Sequence, residues 1–262
     1  MIETIPDVLA RIVAKKREEL PAVRARASVL EKAAAERVRD RRDFVEALRA
    51  KTPAIIAEVK KASPSKGVLA ADFDAARTAA AYERGGAAAV SVLTDGPFFQ
   101  GSLEDLEAAR AAMKLPVLRK DFTIDEVHVV EAAAHGADAI LLIAAILTER
   151  EIREFRRVAR QYGMPALVEV HNRRELDMAV ATGCDLIGVN NRNLSTFGVT
   201  LHTSLDLAEH IPPGTVSVSE SGIHSRAEID RLRAAGYAAF LVGEHLMKSG
   251  DPAAALAKLV AA

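Results

Sequence analysis

The chain has 262 residues, half of them hydrophobic and 27 % charged, with 35 Lys plus Arg against 36 Asp plus Glu and a formal net charge of -1. This is the usage of an ordinary folded chain; it excludes disorder and leaves no overall field to draw in nucleic acid or an anionic membrane surface. A single cysteine, Cys184, excludes an intramolecular disulfide framework and a four-thiolate metal site, and no apolar run approaches the roughly 20 residues that span a bilayer, so a cytoplasmic chain without membrane or nucleic-acid partners is expected.

Residues 1–51 carry 13 basic and 9 acidic residues and no glycine. Val8, Ile12 and Val13, then Val38, Phe44, Val45 and Leu48, recur at helical spacing, which predicts two or three helices with Pro21 interrupting the first or opening the next. About fifty residues bury little by themselves, so this stretch is read as a helical extension packed on a main body that spans 52–262. A different rhythm follows. Short apolar, β-rich runs begin at Ala54, Ala88, Pro116, Ala139, Ala166, Leu186, Val216 and Ala239, between 20 and 34 residues apart. Ala/Glu/Arg-rich stretches with helical periodicity fill the gaps, several closing on glycine. Parallel neighbours need a crossover of about a dozen residues, so eight β-then-α units mean eight parallel strands, the number that closes into a barrel. A doubly wound open sheet has the same alternation, but no Gly-x-Gly-x-x-Gly follows any strand and no Gly-x-x-x-x-Gly-Lys occurs. The expected fold is α/β, a (β/α)8 TIM barrel with an N-terminal helical extension.

Polar residues gather at the carboxyl ends of these runs: Glu58 and Lys60 on the first, Lys120-Asp121 on the third, Glu169 on the fifth, Asn190-Asn191-Arg192 on the sixth, Glu220-Ser221-Gly222 on the seventh, Gly243-Glu244 on the eighth. A strand alternates faces, so Glu58 and Lys60 share one side, Glu58 a layer deeper. A single strand-end lysine is ordinarily a solvated rim residue. Three carboxylates, two lysines and an asparagine at the same end of five strands instead read as a site, because charges in a barrel mouth must be paired or used. Interleaved lysines and glutamates separate one another's pKa values and supply an acid and a base together.

Gly222 and Gly243 follow strands seven and eight, whose loops commonly cradle phosphate in barrels, with Ser221 able to add a hydroxyl; ordinary turn chemistry is the bland alternative. Ser63-Pro64-Ser65-Lys66-Gly67 after the first strand reads either as a mobile loop bringing Ser63 and Lys66 over the mouth or as a plain turn. Phe98-Phe99 and Phe122, after strands two and three, suit either an aromatic substrate or core closure. Seven scattered histidines lack metal-site spacing; Glu169-x-His171 shares a strand face but is a poor ligand set, and Cys184 reads as an inert packing residue.

Five segments together resemble the signature of the indole-3-glycerol phosphate synthase family: Ile56 to Gly67, Leu118 to Phe122, Leu167 to His171, Gly188 to Leu194 and Ser219 to Ile223. The resemblance runs end to end and includes the helical extension. It implies conversion of 1-(2-carboxyphenylamino)-1-deoxyribulose 5-phosphate to indole-3-glycerol phosphate, CO2 and water, the ring-forming step of tryptophan biosynthesis, without cofactor or metal. By resemblance Lys120 is the acid for ring closure, and Lys60 pairs the substrate carboxylate. Glu169 and Glu58 handle proton transfer and hold the lysines; how acid and base roles divide among these four stays open. Asn190 and Glu220 orient the substrate hydroxyls and the lysine network. Ser63, Phe122, Arg192, Ser221, Gly222, Gly243 and Glu244 complete the substrate-binding set. Glu244 departs from the small residue frequent after that glycine: either its backbone N–H is the phosphate donor and the side chain points away, or its carboxylate repels phosphate. A Schiff-base aldolase with Lys120 or Lys60 as nucleophile and a non-catalytic phosphosugar-binding barrel are the competing readings. A monomer acting on a small phosphorylated substrate is expected.

Overall fold

The computed structural model describes residues 7–64, 66–70 and 72–261. Eight strands, β1 Ala54–Val59, β2 Ala89–Leu93, β3 Val117–Lys120, β4 Ala139–Ile143, β5 Ala166–Val170, β6 Leu186–Asn190, β7 Val216–Glu220 and β8 Ala239–Val242, form a closed barrel. Every neighbouring pair is parallel, and β1 closes the ring on β8 with Ala54 opposite Ala239. The expected (β/α)8 fold is therefore the one present.

Alternation along each strand sorts the apolar side chains into two cores. Ile55, Ala57 and Val59, with Val90, Val92, Val168, Val170, Ile187, Val189 and Phe240, face outward into the layer under the helices. Ala54, Ile56, Leu118, Leu141, Leu167, Leu186, Val218 and Leu241 face inward and fill the barrel. The inward parity continues past these residues to Glu58, Lys120, Glu169, Asn190 and Glu220, which is why five polar side chains meet above a packed apolar floor.

The crossover helices begin on side-chain caps: Asp74, Ser102, Asp125 and Asn172 each accept a backbone N–H, and Thr148 and Ser225 form capping boxes with Glu151 and Glu228. Three helices precede the barrel: α1 Asp7–Arg24, α2 Ala27–Glu36 and α3 Phe44–Arg49. Pro21 neither breaks α1 nor opens α2; it lies in the last turn of α1, where its missing N–H removes a single terminal hydrogen bond. Phe44 and Leu48 of α3 pack among the first residues of the strands and close the amino-terminal end of the barrel. Arg41 donates to the carbonyls of Ala133, Ala137 and Tyr162, tying the segment between α2 and α3 to the outer helices. Among the described residues no helix is long and apolar enough to cross a membrane.

Candidate active site

A cavity of about 540 Å3 opens at the carboxyl-terminal end of the barrel. Glu58, Lys60, Lys120, Glu169, Asn190 and Glu220 line it, as do Ser63, Phe122, Arg192, Ser221, Gly222, Gly243 and Glu244, so the expected catalytic and substrate-binding residues border one space, whereas Phe98 and Asn191 do not line it.

Lys120 stands at its centre. Its Nζ donates to Glu169 Oε2 at 2.7 Å and lies 3.2 Å from Glu220 Oε2. Burial opposes its charge, but Glu169, Glu220 and Glu58 hold the ammonium well above the ordinary lysine value. A Schiff-base nucleophile needs the opposite shift, which counts against the aldolase reading. Burial likewise opposes ionisation of Glu169, yet Lys120 and His171 hold its carboxyl below the usual carboxylate range. Asn190 Nδ2 donates to Glu169 Oε1 at 3.2 Å, and His171 Nε2 lies 3.3 Å from the same oxygen. On the first strand Lys60 Nζ pairs with Glu58 Oε1 at 2.5 Å.

Glu220 is the odd member. Both its carboxylate oxygens are buried without a hydrogen-bond partner among the described residues. Burial, reinforced by Glu169 and Glu58, pushes its carboxyl up to about 8 in spite of Lys120. Three carboxylates face two lysines here, and a proton on Glu220 balances the set.

Glycine at two inward positions makes this crowding feasible. A Cβ at residue 188 would lie 2.1 Å from Glu220 Oε1, and one at residue 243 would lie 2.3 Å from Glu58 Oε1. Gly243 therefore has a packing role that the sequence did not reveal. The end of β7 turns through two consecutive left-handed residues, Ser221 at φ +67° and Gly222 at φ +78°. Gly243 caps the short helix Glu244–Met247. The Glu244 carboxylate is drawn to Lys248 at 2.7 Å and lies 3.7 Å from Arg192, and the Lys248 hydrogen bond lowers its pKa.

The segment after β1 is more ordered than a plain turn: Ala62–Ser63 pairs antiparallel with Gly67–Val68. Ser63 and Lys66 line the mouth, while Ser65 lies outside the described residues. Phe99 and Phe122 meet at the cavity edge with ring centroids 6.0 Å apart and ring planes tilted by 37°. Cys184 is buried with its thiol pushed up by burial, in keeping with packing.

Several residues of the site were not legible as such. Val8, Leu9 and Ile12 of α1 line the cavity, as do His224 and His245, whose rings meet edge to face at 5.9 Å. His171 was noticed only as a weak metal ligand. It is a buried clamp instead: its Nδ1 lies 3.0 Å from Glu175 Oε2, while Nε2 faces Glu169. The i, i+4 spacing of His171 and Glu175 across a helix start was the available signal. Among the described residues no three His, Cys, Asp or Glu side chains converge so as to hold a metal ion.

Fold and site thus define a (β/α)8-barrel enzyme whose carboxyl-terminal mouth carries a buried lysine–carboxylate array. A family model described as indole-3-glycerol phosphate synthase matches residues 9–259. A protein of that name from Koribacter versatilis is 56 % identical over 207 residues, covering 79 % of this chain and 80 % of its own. Another from Burkholderia vietnamiensis is 52 % identical over 258 residues, covering 97 % and 98 %. The chain belongs to the indole-3-glycerol phosphate synthase family. Among solved structures, 3-hexulose-6-phosphate synthase superposes with a TM-score of 0.64 at 17 % identity, covering 79 % of this chain and 98 % of that one, a likeness of fold alone.

Proposed function

We propose that this protein catalyses the reaction its family is named for, closing the pyrrole ring of 1-(2-carboxyphenylamino)-1-deoxyribulose 5-phosphate with loss of CO2 and water, and that Lys120 is its central acid. The observation that carries this reading is Lys120 Nζ placed 2.7 Å from Glu169 and 3.2 Å from Glu220 at the floor of the cavity.

In the first step the ring carbon bearing the carboxylate attacks the ketone carbon, and negative charge grows on the ketone oxygen. A buried ammonium aimed at that oxygen stabilises the charge and then delivers its proton. An alkoxide is a stronger base than an amine, so the transfer is downhill even from a lysine with a raised pKa. CO2 then leaves, and its bonding electrons return to the ring and its nitrogen; the substrate is its own electron sink. Finally the new hydroxyl departs as water while the neighbouring carbon loses a proton. That step needs an acid and a base together. Lys60 with Glu58, and Glu169 with its low pKa, supply such partners. Lys60 is also suited to pair the substrate carboxylate until CO2 leaves.

Glu220, with both oxygens free of hydrogen bonds, and Asn190 are suited to hold the sugar hydroxyls. The order of strands supports one orientation: Phe99 and Phe122 follow β2 and β3, whereas Ser221, Gly222 and Gly243 follow β7 and β8 on the far side of the ring. The aryl group then lies against the phenylalanines, and the phosphate reaches the turn after β7 and the helix start at Gly243. Arg192 adds a cation at the phosphate end, and the tether of Glu244 to Lys248 keeps that carboxylate occupied.

Mixing protein and substrate while following indole fluorescence and released CO2 tests the reading. Equimolar appearance of both at a catalytic rate is expected. Substrate binding without either product would overturn it.

A further inference from the structure

We propose that Lys16 of α1 is a positioning residue that fixes the aromatic wall of the cavity, Phe99 and Phe122, from outside the barrel; the inference rests on the function proposed above. Lys16 is buried, and its Nζ lies 2.8 Å from Asp121 Oδ1 and 3.2 Å from Asp95 Oδ2. Both carboxylates are buried too; Asp121 sets the backbone of the wall residue Phe122, and Asp95 that of Phe98, the neighbour of Phe99 in the same short helix. Asp95 Oδ1 accepts the N–H of Phe98 at 2.9 Å and caps the short helix Gly96–Phe99. Asp121 Oδ1 accepts the N–H of Phe122 at 2.7 Å. One ammonium therefore joins the two loops whose phenylalanine rings face each other.

The two carboxylates depend on Lys16 unequally. Asp121 has other partners on its second oxygen, Thr94 at 2.5 Å and Arg119 at 3.1 Å. Asp95 Oδ2 is buried with Lys16 as its charged neighbour. Removing the lysine leaves an uncompensated buried charge at the base of the Phe99 helix, and such a charge is relieved by moving toward water. The helix carrying Phe99 would move with it. Ile12, one turn before Lys16 on α1, lines the same cavity, as does Leu9, so the helix both covers the wall and pins it. An aromatic wall contacts the substrate ring before and during the reaction alike, so its loss reads out in binding more than in turnover.

The test compares full-length wild type with Lys16→Met, Lys16→Arg and the double variant Lys16→Met/Asp95→Asn, which removes the stranded charge and guards against misfolding. The substrate KM is expected to rise about tenfold in Lys16→Met and to return most of the way to wild type in the double variant, with kcat changed by less than about threefold in both, as for lost uniform binding. Competitive inhibition by inorganic phosphate should stay at the wild-type level, because the phosphate end lies across the barrel. Lys16→Arg keeps the charge and should restore most of the affinity. A folded Lys16→Met variant with a wild-type KM would overturn the proposal, as would a double variant no better than Lys16→Met, and so would equal weakening toward substrate and phosphate, which marks general loosening. A wild-type enzyme that makes no product would overturn the proposed function and this inference with it. Normal wild-type turnover beside an unchanged KM in the variants strikes Lys16 alone.

Discussion

The carboxylate of Glu220 lies in the space that a side chain at Gly188 would fill: a Cβ there would come within 2.1 Å of Glu220 Oε1. Gly188 sits on β6 one inward position below Asn190, which is paired in register with Glu220 on β7. The absence of a side chain on one strand thus sets where the acid on the next can fold. Gly188→Ala should displace Glu220 and with it one flank of Lys120. Turnover is expected to fall at least about tenfold, and stability by about 1–3 kcal/mol, the usual penalty for overpacking a filled core. Steady-state kinetics and urea unfolding check both; unchanged turnover would mean that the position of Glu220 is immaterial.

Glu220 should make stability depend on pH in the direction opposite to a paired carboxylate. Its folded-state pKa, about 8, lies above the ordinary 4.5, so between these values the folded protein binds more protons than the unfolded chain. Stability therefore falls as pH rises from about 4.5 through 8. Glu220→Gln mimics the protonated acid without its titration. The variant should gain stability relative to wild type at pH 8.5 and show little difference at pH 5. Urea midpoints at the two values test this, and an equal difference at both would contradict it.

His171 should make stability fall in the same direction, at higher pH. Burial opposes its charge, but Glu169 and Glu175 raise its pKa from 6.5 to about 9. Its contribution to stability is full below about 6.5 and is lost as pH rises through 9. His171→Gln should therefore be less stable than wild type by roughly 1–3 kcal/mol at pH 6, with the gap narrowing toward pH 10. Without the imidazolium, Glu169 becomes harder to ionise, so the acid limb of the pH–rate profile should move to higher pH. A profile that keeps its acid limb would separate His171 from Glu169.

Much of this could be read from residues alone because the strand period is short and strict. Leu118 and Lys120, or Leu167 and Glu169, stand two apart, so an apolar inward residue predicts an inward charge. The starts of the eight runs fall on or within a residue of the observed strands. Partners distant in sequence resisted such reading. Lys16 is one of many cations on an amphipathic helix, and nothing near it announces Asp95 or Asp121. Glycines were ambiguous for a different reason. Gly222 and Gly243 suggest an anion cradle, yet a Cβ at residue 222 would also meet Val199 Cγ1 at 2.5 Å, and one at residue 243 would meet Glu58. A glycine reports that space is needed, without saying for what. Pro21 misled because a proline in a final helical turn removes little.

The central claim is that Lys120, gripped by Glu169 and Glu220, is the acid of ring closure. Its most direct test is turnover of wild type and Lys120→Met side by side, followed by indole fluorescence at saturating substrate. Loss of a general acid and charge stabiliser predicts a fall in kcat of roughly two or more orders of magnitude, with the variant still folded and still binding substrate. A variant that turns over at the wild-type rate would remove Lys120 from the chemistry.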